Sequence, residues 1–494
     1  MPDQPAHNTP PTVDVFILTF NAAKKLIEPS VFALHLRNAF AENAFDFPEL
    51  VVVCLQEMAP LEHSFIGSYM INPYFQRWVA AVNLAANPPT AGPRRDNGVD
   101  DVDDMDDEGY DPDGRDDGCG TGLSPYTLVT SRNVGMTGIL LFARDPAALQ
   151  KLKSTEVGFG AGDMANKGAV GLRMLFSKPD ADGRQRQTEL TFVGTHLAAH
   201  EWNLERRNRN WASIVSGLLF EDPKKLRSVK SVHPTPRPSP AGNDDEHEQL
   251  LSRDAEERAE EKALHDITIY KPGSHLFVAG DLNYRISKTP PDDKSVFPAT
   301  DPVSPNHFSH FLALDQLARE KAAGRTLHGL AEPKIAFPPT YKLNVKSKAD
   351  DSVSWKWVEN RWPSWCDRVL YLDIPPWASR SPAGSDIVMR TIAYNALPPV
   401  ATSDHRAVFL RLEVPIIEPS VLAPSDELYA SSNDDPRIKL PYAVDLESWD
   451  HRARVKKWEW VIGWSMLVSQ SKQGIAVFTT LFLVGLGAWW FRSR

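Results

Sequence analysis

The chain has 494 residues, 42% of them hydrophobic and 24% charged, which excludes collagen-like, coiled-coil and wholly disordered proteins. It is too long for one ordinary domain, so it is either one large domain with insertions or two domains. The formal net charge is −10, but residues 96–117 hold 12 acidic residues and one arginine, which leaves +1 for the remainder. No broad basic face is expected, and nucleic acid is not a predicted partner.

The cysteines and the N-terminus both indicate the cytosol. Cys54, Cys119 and Cys366 lie far apart and form neither a C-x-x-C motif nor an even disulfide framework. Residues 1–12 are polar and proline-rich, without the apolar core of a signal peptide, and are predicted to be disordered. We therefore predict that the bulk of the protein faces the cytosol.

Short apolar runs rich in β-branched residues alternate with helical patterns between residues 13 and 417. Several runs are apolar on both sides, as is typical of strands buried between layers. The runs are Val13–Phe20, Leu50–Leu55, Gly138–Ala143, Ala169–Phe176, Glu189–Leu197, His275–Leu282, Arg368–Ile374 and Ala407–Val414. The interleaving predicts a layered α/β fold in one large domain over residues 13–417.

Three polar segments interrupt or follow this domain. Residues 87–122 and 221–262 are predicted to be disordered insertions, because they offer too few apolar residues to form a core. A calcium-binding loop is the alternative for the first of them. Residues 418–446 are predicted to be a linker, and residues 447–473 a juxtamembrane segment along the bilayer surface or, alternatively, a helix packed on the domain.

The C-terminal run Gly474–Phe491 contains 18 residues without a charge. As a helix it would be about 27 Å long, and Trp489 and Trp490 would lie at one interface. We predict a transmembrane tail anchor here, with a buried core helix as the alternative. The short span favours the endoplasmic reticulum, whereas Arg492 and Arg494 behind it leave the mitochondrial outer membrane open.

Polar residues stand at the ends of several predicted strands. Asn21 follows the first strand, Glu57 the second, His196 ends the fifth and Asp281 ends the sixth. Strands of layered α/β sheets often carry functional groups at their carboxyl ends. Asp281 and Asn283 are two residues apart and point the same way from an extended segment. The carboxylate could accept a proton from water while the carboxamide binds a phosphate oxygen, although an Asx turn is the alternative.

Two further clusters precede the last predicted strands. Asp367 stands before one of them, and the adjacent pair Asp404-His405 stands before the other. An acid beside a histidine fixes the imidazole tautomer and stabilises its charged form. An Asp-His pair on a loop is otherwise commonplace, so this cluster gains weight only in combination with the strand ends.

Together these motifs resemble the inositol polyphosphate 5-phosphatases of the endonuclease/exonuclease/phosphatase superfamily, in a fungal-like form. The resemblance covers about Val13 to Val414. Its motifs are LQEM around Glu57, NKGAVGLRM, THLAAHEWNLERRNRNW, GDLNYRI, FPPTYK, PSWCDRVL and SDHRAV. The sequence departs from the usual residues of the family at Phe20, Ala165 and Thr195. None of these departures removes an acid, a histidine or a phosphate-binding base. The resemblance implies a layered α/β sandwich of two mixed sheets flanked by helices.

The resemblance also implies an activity, the Mg²⁺-dependent removal of the 5-phosphate from phosphoinositide lipids in a bilayer. Phosphatidylinositol 4,5-bisphosphate, the 3,4,5-trisphosphate or both would be substrates. Glu57 would be a metal ligand, with Asn21 close to the metal. Asp281 would accept the proton of the attacking water, and Asn283 would hold the scissile phosphate.

The remaining implied roles concern the phosphate groups. His405, oriented by Asp367, would donate a hydrogen bond to the scissile phosphate. His196 would contact the same phosphate, and Asp404 would act through the metal or water. The implied ligands of a neighbouring ring phosphate are Lys342, Tyr341 and Arg368, with Lys167 and Arg285 as weaker candidates.

Two alternative functions remain. The chain could be another phosphodiesterase of the superfamily, sphingomyelinase-like or nuclease-like. It could also be a catalytically inactive, phosphoinositide-binding membrane tether, although Glu57, Asp281 and His405 are all present. The preferred phosphoinositide or soluble inositol phosphate and the oligomeric state do not follow from the sequence.

Overall fold

The protein is known from a computed structural model, which describes residues 10–87, 124–230, 256–347, 353–380, 384–429 and 433–492. The strands are β1 (Thr12–Asn21), β2 (Leu50–Gln56), β3 (Thr127–Val134), β4 (Thr137–Ala143), β5 (Leu149–Gly158), β6 (Gly168–Pro179), β7 (Gln185–His196), β8 (Ser274–Asp281), β9 (Leu330–Ala331), β10 (Leu343–Ser347), β11 (Val353–Trp357), β12 (Asp367–Leu372), β13 (Arg390–Ala396) and β14 (Val408–Pro415). The helices are α1 (Pro29–Ala41), α2 (Leu61–Ile66), α3 (Asn72–Ala86), α4 (Leu204–Gly217), α5 (Pro223–Lys230), α6 (256–266), α7 (Gln316–Ala322), α8 (Pro419–Leu422), α9 (Asp426–Tyr429), α10 (Ser448–Gln470) and α11 (Lys472–Arg492).

Two six-stranded mixed sheets face each other across one apolar core. The first has the order β13-β14-β1-β2-β4-β3 and the second β5-β6-β7-β8-β12-β9, while β10 and β11 form a separate hairpin. Val52 and Leu141 of the first sheet meet Phe192 and Phe277 of the second in the shared core. Because these strands are buried on both faces, they appear in the sequence as continuous apolar runs.

Helices cover the outer face of each sheet. Phe32 of α1 and Trp78 of α3 pack with Phe20 of β1 outside the first sheet. Trp211 of α4 packs with Val278 of β8 outside the second. The predicted sandwich of two mixed sheets flanked by helices is therefore confirmed.

Two of the three predicted polar segments contain ordered structure. Residues 88–123 and 231–255 lie outside the described residues, as do residues 1–9. The described ends of the second insertion are helical, in α5 and α6. In the predicted linker, Leu422 is buried and its carbonyl accepts a hydrogen bond from Trp377, while buried Arg437 binds the carbonyl of Asp373. The linker prediction is wrong for these residues, because isolated apolar and arginine side chains attach the segment to the domain.

The segment predicted to lie along the bilayer packs on the domain instead. It forms α10, and Val455, Glu459 and Gly463 on one face of that helix are buried. The alternative of a packed helix is thus the observed one. The predicted span Gly474–Phe491 lies within α11. Among the residues that the structure describes, no helix combines the length and apolarity needed to cross a membrane.

The described residues therefore give no support to the predicted transmembrane helix over Gly474–Phe491.

Candidate active site

Strand ends from both sheets converge at one edge of the sandwich. Asn21 ends β1, and Glu57 directly follows β2. His196 ends β7 and Asp281 ends β8, while Asp367 begins β12. Asp281 is the register partner of His196 on one side and of Asp367 on the other. The pairing of the strands therefore brings an imidazole and two carboxylates of distant sequence segments side by side.

Several residues at this edge have left-handed backbone conformations, and two of them belong to the cluster. Glu57 has φ 43° and Asn283 has φ 56°. Asparagine tolerates this region, but for glutamate it is uncommon and costs on the order of 1 kcal/mol. Such strain persists where the surrounding structure imposes it, and it often marks a functional site.

Asp281 is the centre of the cluster and is only 1% exposed. Its Oδ2 accepts a hydrogen bond from Nδ2 of Asn21 at 3.0 Å and lies 3.2 Å from Nε2 of His196. Its Oδ1 accepts one from the backbone N–H of Asn283 at 3.1 Å. Burial alone would raise the pKa of Asp281, but the charge of His405 and the hydrogen bond from His196 outweigh it and hold the pKa well below its usual range. The carboxylate is therefore ionised at neutral pH.

His405 is fixed between two carboxylates. Its Nδ1 lies 2.9 Å from Oδ2 of Asp367, which also accepts a hydrogen bond from Oγ1 of Thr340 at 2.6 Å. Its Nε2 lies 3.9 Å from Oδ2 of Asp281. Burial lowers the pKa of His405, but Asp367 and Asp281 raise it to about 9. The ring is therefore an imidazolium at neutral pH, with its Nε2–H on the side of Asp281.

Glu57 is the more open acid of the cluster, with 28% of its side chain exposed. Lys24 Nζ lies 3.6 Å and Lys167 Nζ 3.9 Å from its carboxylate oxygens. Burial raises the pKa of Glu57, but His196, Lys167 and Lys24 together lower it below its ordinary value. An ionised, partly open carboxylate is the kind of group that a hard divalent cation binds.

The oxygen donors of the cluster fit such a cation. Ligand atoms of Asp281, Asp367 and His405 lie within 4.8 Å of one another. His405 is a poor ligand in that set, however, because its raised pKa leaves no free nitrogen lone pair at neutral pH. The carboxylate of Glu57 and the side-chain oxygen of Asn21 are the better donors for a hard cation, because both oxygens of Asp281 already accept hydrogen bonds, from Asn21 and Asn283.

Lys167 and His196 are in direct contact. The Lys167 ammonium group contacts both ring nitrogens of His196, with 3.2 Å to Nδ1. Burial and the Lys167 charge lower the pKa of His196, opposed by Asp281, so this ring is neutral at physiological pH. Lys167, a weaker candidate by sequence, thus lies inside the cluster, and His196 lies beside Asp281.

A rim of cations and one aromatic ring adjoins His405. The Tyr341 ring is centred 4.5 Å from the ring of His405 and 4.2 Å from the guanidinium of Arg285. Nη2 of Arg285 donates to Oδ1 of Asn283 at 2.5 Å. Lys342 Nζ lies 5.6 Å from the centre of the Tyr341 ring, at the partly exposed end of this row.

Asp404 belongs to the rim rather than to the cluster. Its Oδ2 lies 3.4 Å from Nζ of Lys342. It acts on His405 only as a nearby charge that helps to raise the pKa of the imidazole. Ser403, its neighbour, donates from Oγ to the carbonyl of Asn21 at 2.6 Å and so connects the two strand ends.

Arg368 does not reach the cluster, which corrects its implied role in substrate binding. Its guanidinium is buried and donates to both oxygens of Glu332 at 2.6 Å and to Asp315 at 3.0 Å. Asp367 and Arg368 are successive residues of β12, so their side chains point to opposite faces of the sheet. Three residues that contact the cluster were not predicted from the sequence, namely Lys24, Thr340 and Ser403.

We expect Arg368→Met to act on stability. The substitution leaves two buried carboxylates without their cation, so the free energy of unfolding should fall by about 3–5 kcal/mol. Chemical denaturation of both proteins measures this difference. A variant of unchanged stability with an increased KM would instead support the original prediction of a substrate ligand.

Known proteins are similar to this chain in sequence and in structure. The Endonuclease/Exonuclease/phosphatase family 2 profile matches residues 18–411. Phosphatidylinositol 3,4,5-trisphosphate 5-phosphatase 2B of Danio rerio is 28% identical over 277 residues, which are 55% of this chain and 17% of that protein. Type I inositol polyphosphate 5-phosphatase 13 of Arabidopsis thaliana is 30% identical over 253 residues, 51% of this chain and 20% of that protein.

The chain thus spans about a fifth or less of the length of these curated relatives. Among solved structures, it is similar to the inositol polyphosphate 5-phosphatase domain of SPsynaptojanin in complex with inositol (1,4)-bisphosphate and a calcium ion. That similarity has a TM-score of 0.47 and 19% identity, and it covers 83% of this chain and 88% of that one.

Proposed function

Because the chain belongs to endonuclease/exonuclease/phosphatase family 2, we propose that it is a phosphoric monoester hydrolase that removes the 5-phosphate from phosphoinositides or inositol phosphates. Relatives named as 5-phosphatases support the class of reaction. The observation that carries the proposal is the pairing of ionised Asp281 with the imidazolium of His405 in one buried cluster. One group can accept a proton from water, and the other can donate a hydrogen bond to a phosphate oxygen.

In the proposed reaction each side chain has one task. Asp281 takes the proton of the attacking water. The Nε2–H of His405, held in place by Asp367, stabilises the charge that develops on the phosphate oxygens. The side-chain amide of Asn283 donates one N–H to the carbonyl of Leu197 at 3.2 Å, and its oxygen accepts a hydrogen bond from Arg285. In the described part of the chain, the second N–H could then bind the phosphate. Lys167 adds a positive charge beside His196.

We propose Mg²⁺ as the cofactor, since the donor set consists of hard oxygen atoms. Glu57 would hold the ion, together with Oδ1 of Asn21, which in the described part of the chain accepts the backbone N–H of Ala23. When bound, the ion would polarise a phosphate oxygen and neutralise its charge. Metal-dependent turnover after treatment with a chelator tests this assignment.

The rim suits a second phosphate on the inositol ring. Lys342 has only Asp404 as an ion-pair partner in the described part of the chain, and a phosphate could displace that contact. The Tyr341 ring lies beside both the ring of His405 and the ammonium group of Lys342. One substrate could therefore contact His405 and Lys342 at the same time. We therefore propose substrates that carry a phosphate next to the 5-phosphate, such as phosphatidylinositol 4,5-bisphosphate and the 3,4,5-trisphosphate.

We expect Lys342→Met to raise KM for such a substrate by about tenfold and to leave kcat within about twofold. The lost contact is a charge-assisted hydrogen bond, worth roughly 1.5–3 kcal/mol, and it does not involve the reacting phosphate. Initial rates on a soluble short-chain phosphoinositide measure the split. Lys346→Met, at an exposed position of β10, is the matched control. An equal KM in both variants would contradict the assigned role.

A panel of substrates decides between the proposed and the alternative functions. The full chain with Mg²⁺ is assayed for phosphate release from short-chain phosphoinositides and soluble inositol phosphates, for sphingomyelin cleavage and for nicking of plasmid DNA. Release of phosphate from 5-phosphorylated compounds supports the proposal. Cleavage of a diester in its place favours another phosphodiesterase, and lipid binding without turnover favours an inactive tether.

We further propose that the protein acts at a bilayer, at the endoplasmic reticulum or otherwise the mitochondrial outer membrane. Support comes from the exposed indoles of Trp458 and Trp460 on α10 and of Trp489 and Trp490 on α11, since such rings favour the membrane interface. Fractionation of the full chain and of a chain ending at Gln470 tests this. Recovery of the full chain in the supernatant would contradict the proposal.

A further inference from the structure

The helix α10 lies beyond residues 18–411, which match the family. It nevertheless packs against the loop that leads to Lys167 and against α2, which begins four residues after Glu57. We propose that Glu459 of α10 is a positioning residue, which holds Lys167 and Glu57 in their places from outside the family domain. The inference rests on the proposed hydrolase function for its kinetic consequences.

Glu459 binds the loop through a buried backbone group. Its side chain is 3% exposed, and its Oε1 accepts a hydrogen bond from the N–H of Ala165 at 2.6 Å. Ala165 is fully buried and precedes Lys167 by two residues. A buried backbone N–H without a partner costs free energy, so this N–H depends on Glu459 for its hydrogen bond.

The carboxylate itself is held by a second side chain of the same helix. Arg452 donates to Oε1 and Oε2 of Glu459 at 2.8 and 2.7 Å, and to Oε1 of Glu156 on β5 at 3.1 Å. Burial lowers the pKa of Arg452, but Glu459 and Glu156 raise it above its ordinary value. A buried charge is retained only where it is paired and hydrogen-bonded. The three side chains thus form a compensated network between α10 and the sheet.

From Ala165 the contact continues through the backbone to Glu57. The carbonyl of Ala165 accepts the N–H of Met136 at 3.2 Å, and the carbonyl of Met136 accepts the N–H of Met58 at 3.2 Å. Met58 directly follows Glu57 in the chain. At Gly135 a Cβ atom would lie 1.9 Å from the carbonyl oxygen of Ala165, so only glycine permits this close approach.

A second contact holds the segment after Glu57 from the other side. At Gly463 of α10 a Cβ atom would lie 3.0 Å from Cβ of Phe65 and 3.1 Å from the carbonyl oxygen of Glu62. The backbone of α10 therefore rests directly on α2. Removing the Glu459 contact should free the loop at Ala165 while α10 stays attached through Gly463.

The test uses the full chain with three substitutions. Glu459→Ala removes the acceptor, and Glu459→Gln keeps an oxygen for the Ala165 N–H while it weakens the pair with Arg452. Lys456→Ala is the matched control, because Lys456 is an exposed cation of the same helix that binds only Glu156 in the described structure. The measurements are hydrogen exchange at the Ala165 amide, kcat and KM on a short-chain phosphoinositide, and the Mg²⁺ concentration for half-maximal rate.

We expect Glu459→Ala to lower kcat and to raise the required Mg²⁺ concentration, each by about tenfold, as is usual when a residue behind a functional group is lost. Exchange at Ala165 should accelerate at least as much. Glu459→Gln should recover most of each loss, and Lys456→Ala should match the wild type. If Glu459→Ala does not fold, Glu459→Gln is compared with Lys456→Ala, and a smaller loss of the same kind is expected.

Two results would overturn the inference. One is unchanged exchange at Ala165 in both Glu459 variants. The other is a loss of rate that follows only the unfolded fraction, with an unaltered Mg²⁺ requirement. If the wild type releases no phosphate at all, the proposed function fails, yet exchange at Ala165 still decides whether Glu459 holds the loop.

Discussion

We expect Asp281→Asn to lower kcat by about a thousandfold, within the range that a positioned general base contributes. The carboxylate is the ionised centre of the cluster and accepts hydrogen bonds from Asn21 and Asn283. Asparagine keeps the shape and one acceptor oxygen but cannot take a proton from water. Phosphate release under saturating substrate and Mg²⁺ measures the effect.

The matched control is Asp373→Asn, which changes an exposed acid directly after the far end of β12. It should keep wild-type activity, and circular dichroism should show both variants folded. An Asp281→Asn protein with activity within a few-fold of wild type would exclude Asp281 as the base.

The second large effect concerns Asp367 and His405. Asp367→Asn and His405→Gln should each lower kcat by about a hundredfold or more. Asp367→Asn weakens the hydrogen bond that orients the imidazolium, and His405→Gln removes the imidazolium itself. The double variant should be scarcely worse than either single one, since groups that act as a unit are non-additive. Losses that multiply in the double variant would show that the two residues act independently.

The same pair should set the alkaline limit of activity. The protonated form of His405 is the hydrogen-bond donor, so activity should fall as pH rises through about 9. Asp367 raises the pKa of His405. Replacing the Asp367 carboxylate by a neutral amide should therefore move the alkaline limit of activity towards the ordinary histidine pKa near 6.5. The raised pKa also contributes folding stability that is fully present below pH 6.5 and is lost as pH rises through about 9. An alkaline limit that stays in place in Asp367→Asn would contradict this assignment.

The sequence predicted the cluster better than its surroundings, for a physical reason. Asn21, Glu57, His196 and Asp281 are strand-end residues, and strand ends are visible as breaks in apolar runs. The role in substrate binding that the resemblance implies for Arg368 is wrong, because membership of a motif does not say on which face of the strand a side chain lies. The alternation of side chains along a strand is visible in the sequence and would have placed Arg368 on the face opposite Asp367.

Other errors arose from contacts between distant segments, which periodicity does not show. Ser403 joins the cluster through the carbonyl of Asn21, 382 residues away, and Lys24 lies near Glu57 because of a turn after β1. The position of α10 depends on a buried glutamate and a glycine, residue types that typify exposed or flexible segments. The sequence therefore indicated a separate segment where the structure has a packed helix.

The first strand of the chain has a consequence for synthesis on the ribosome. β1 lies inside its sheet, between β2 and β14, and its pairing joins Thr12 to Pro415. Until β14 has emerged, β1 keeps one row of unpaired backbone groups, and such edges favour wrong associations. The nascent chain must therefore be protected for about 400 residues of translation, on the order of 20–80 s at usual elongation rates. A ribosome-bound chain stalled before β14 should accordingly recruit chaperones that release it once that strand is made.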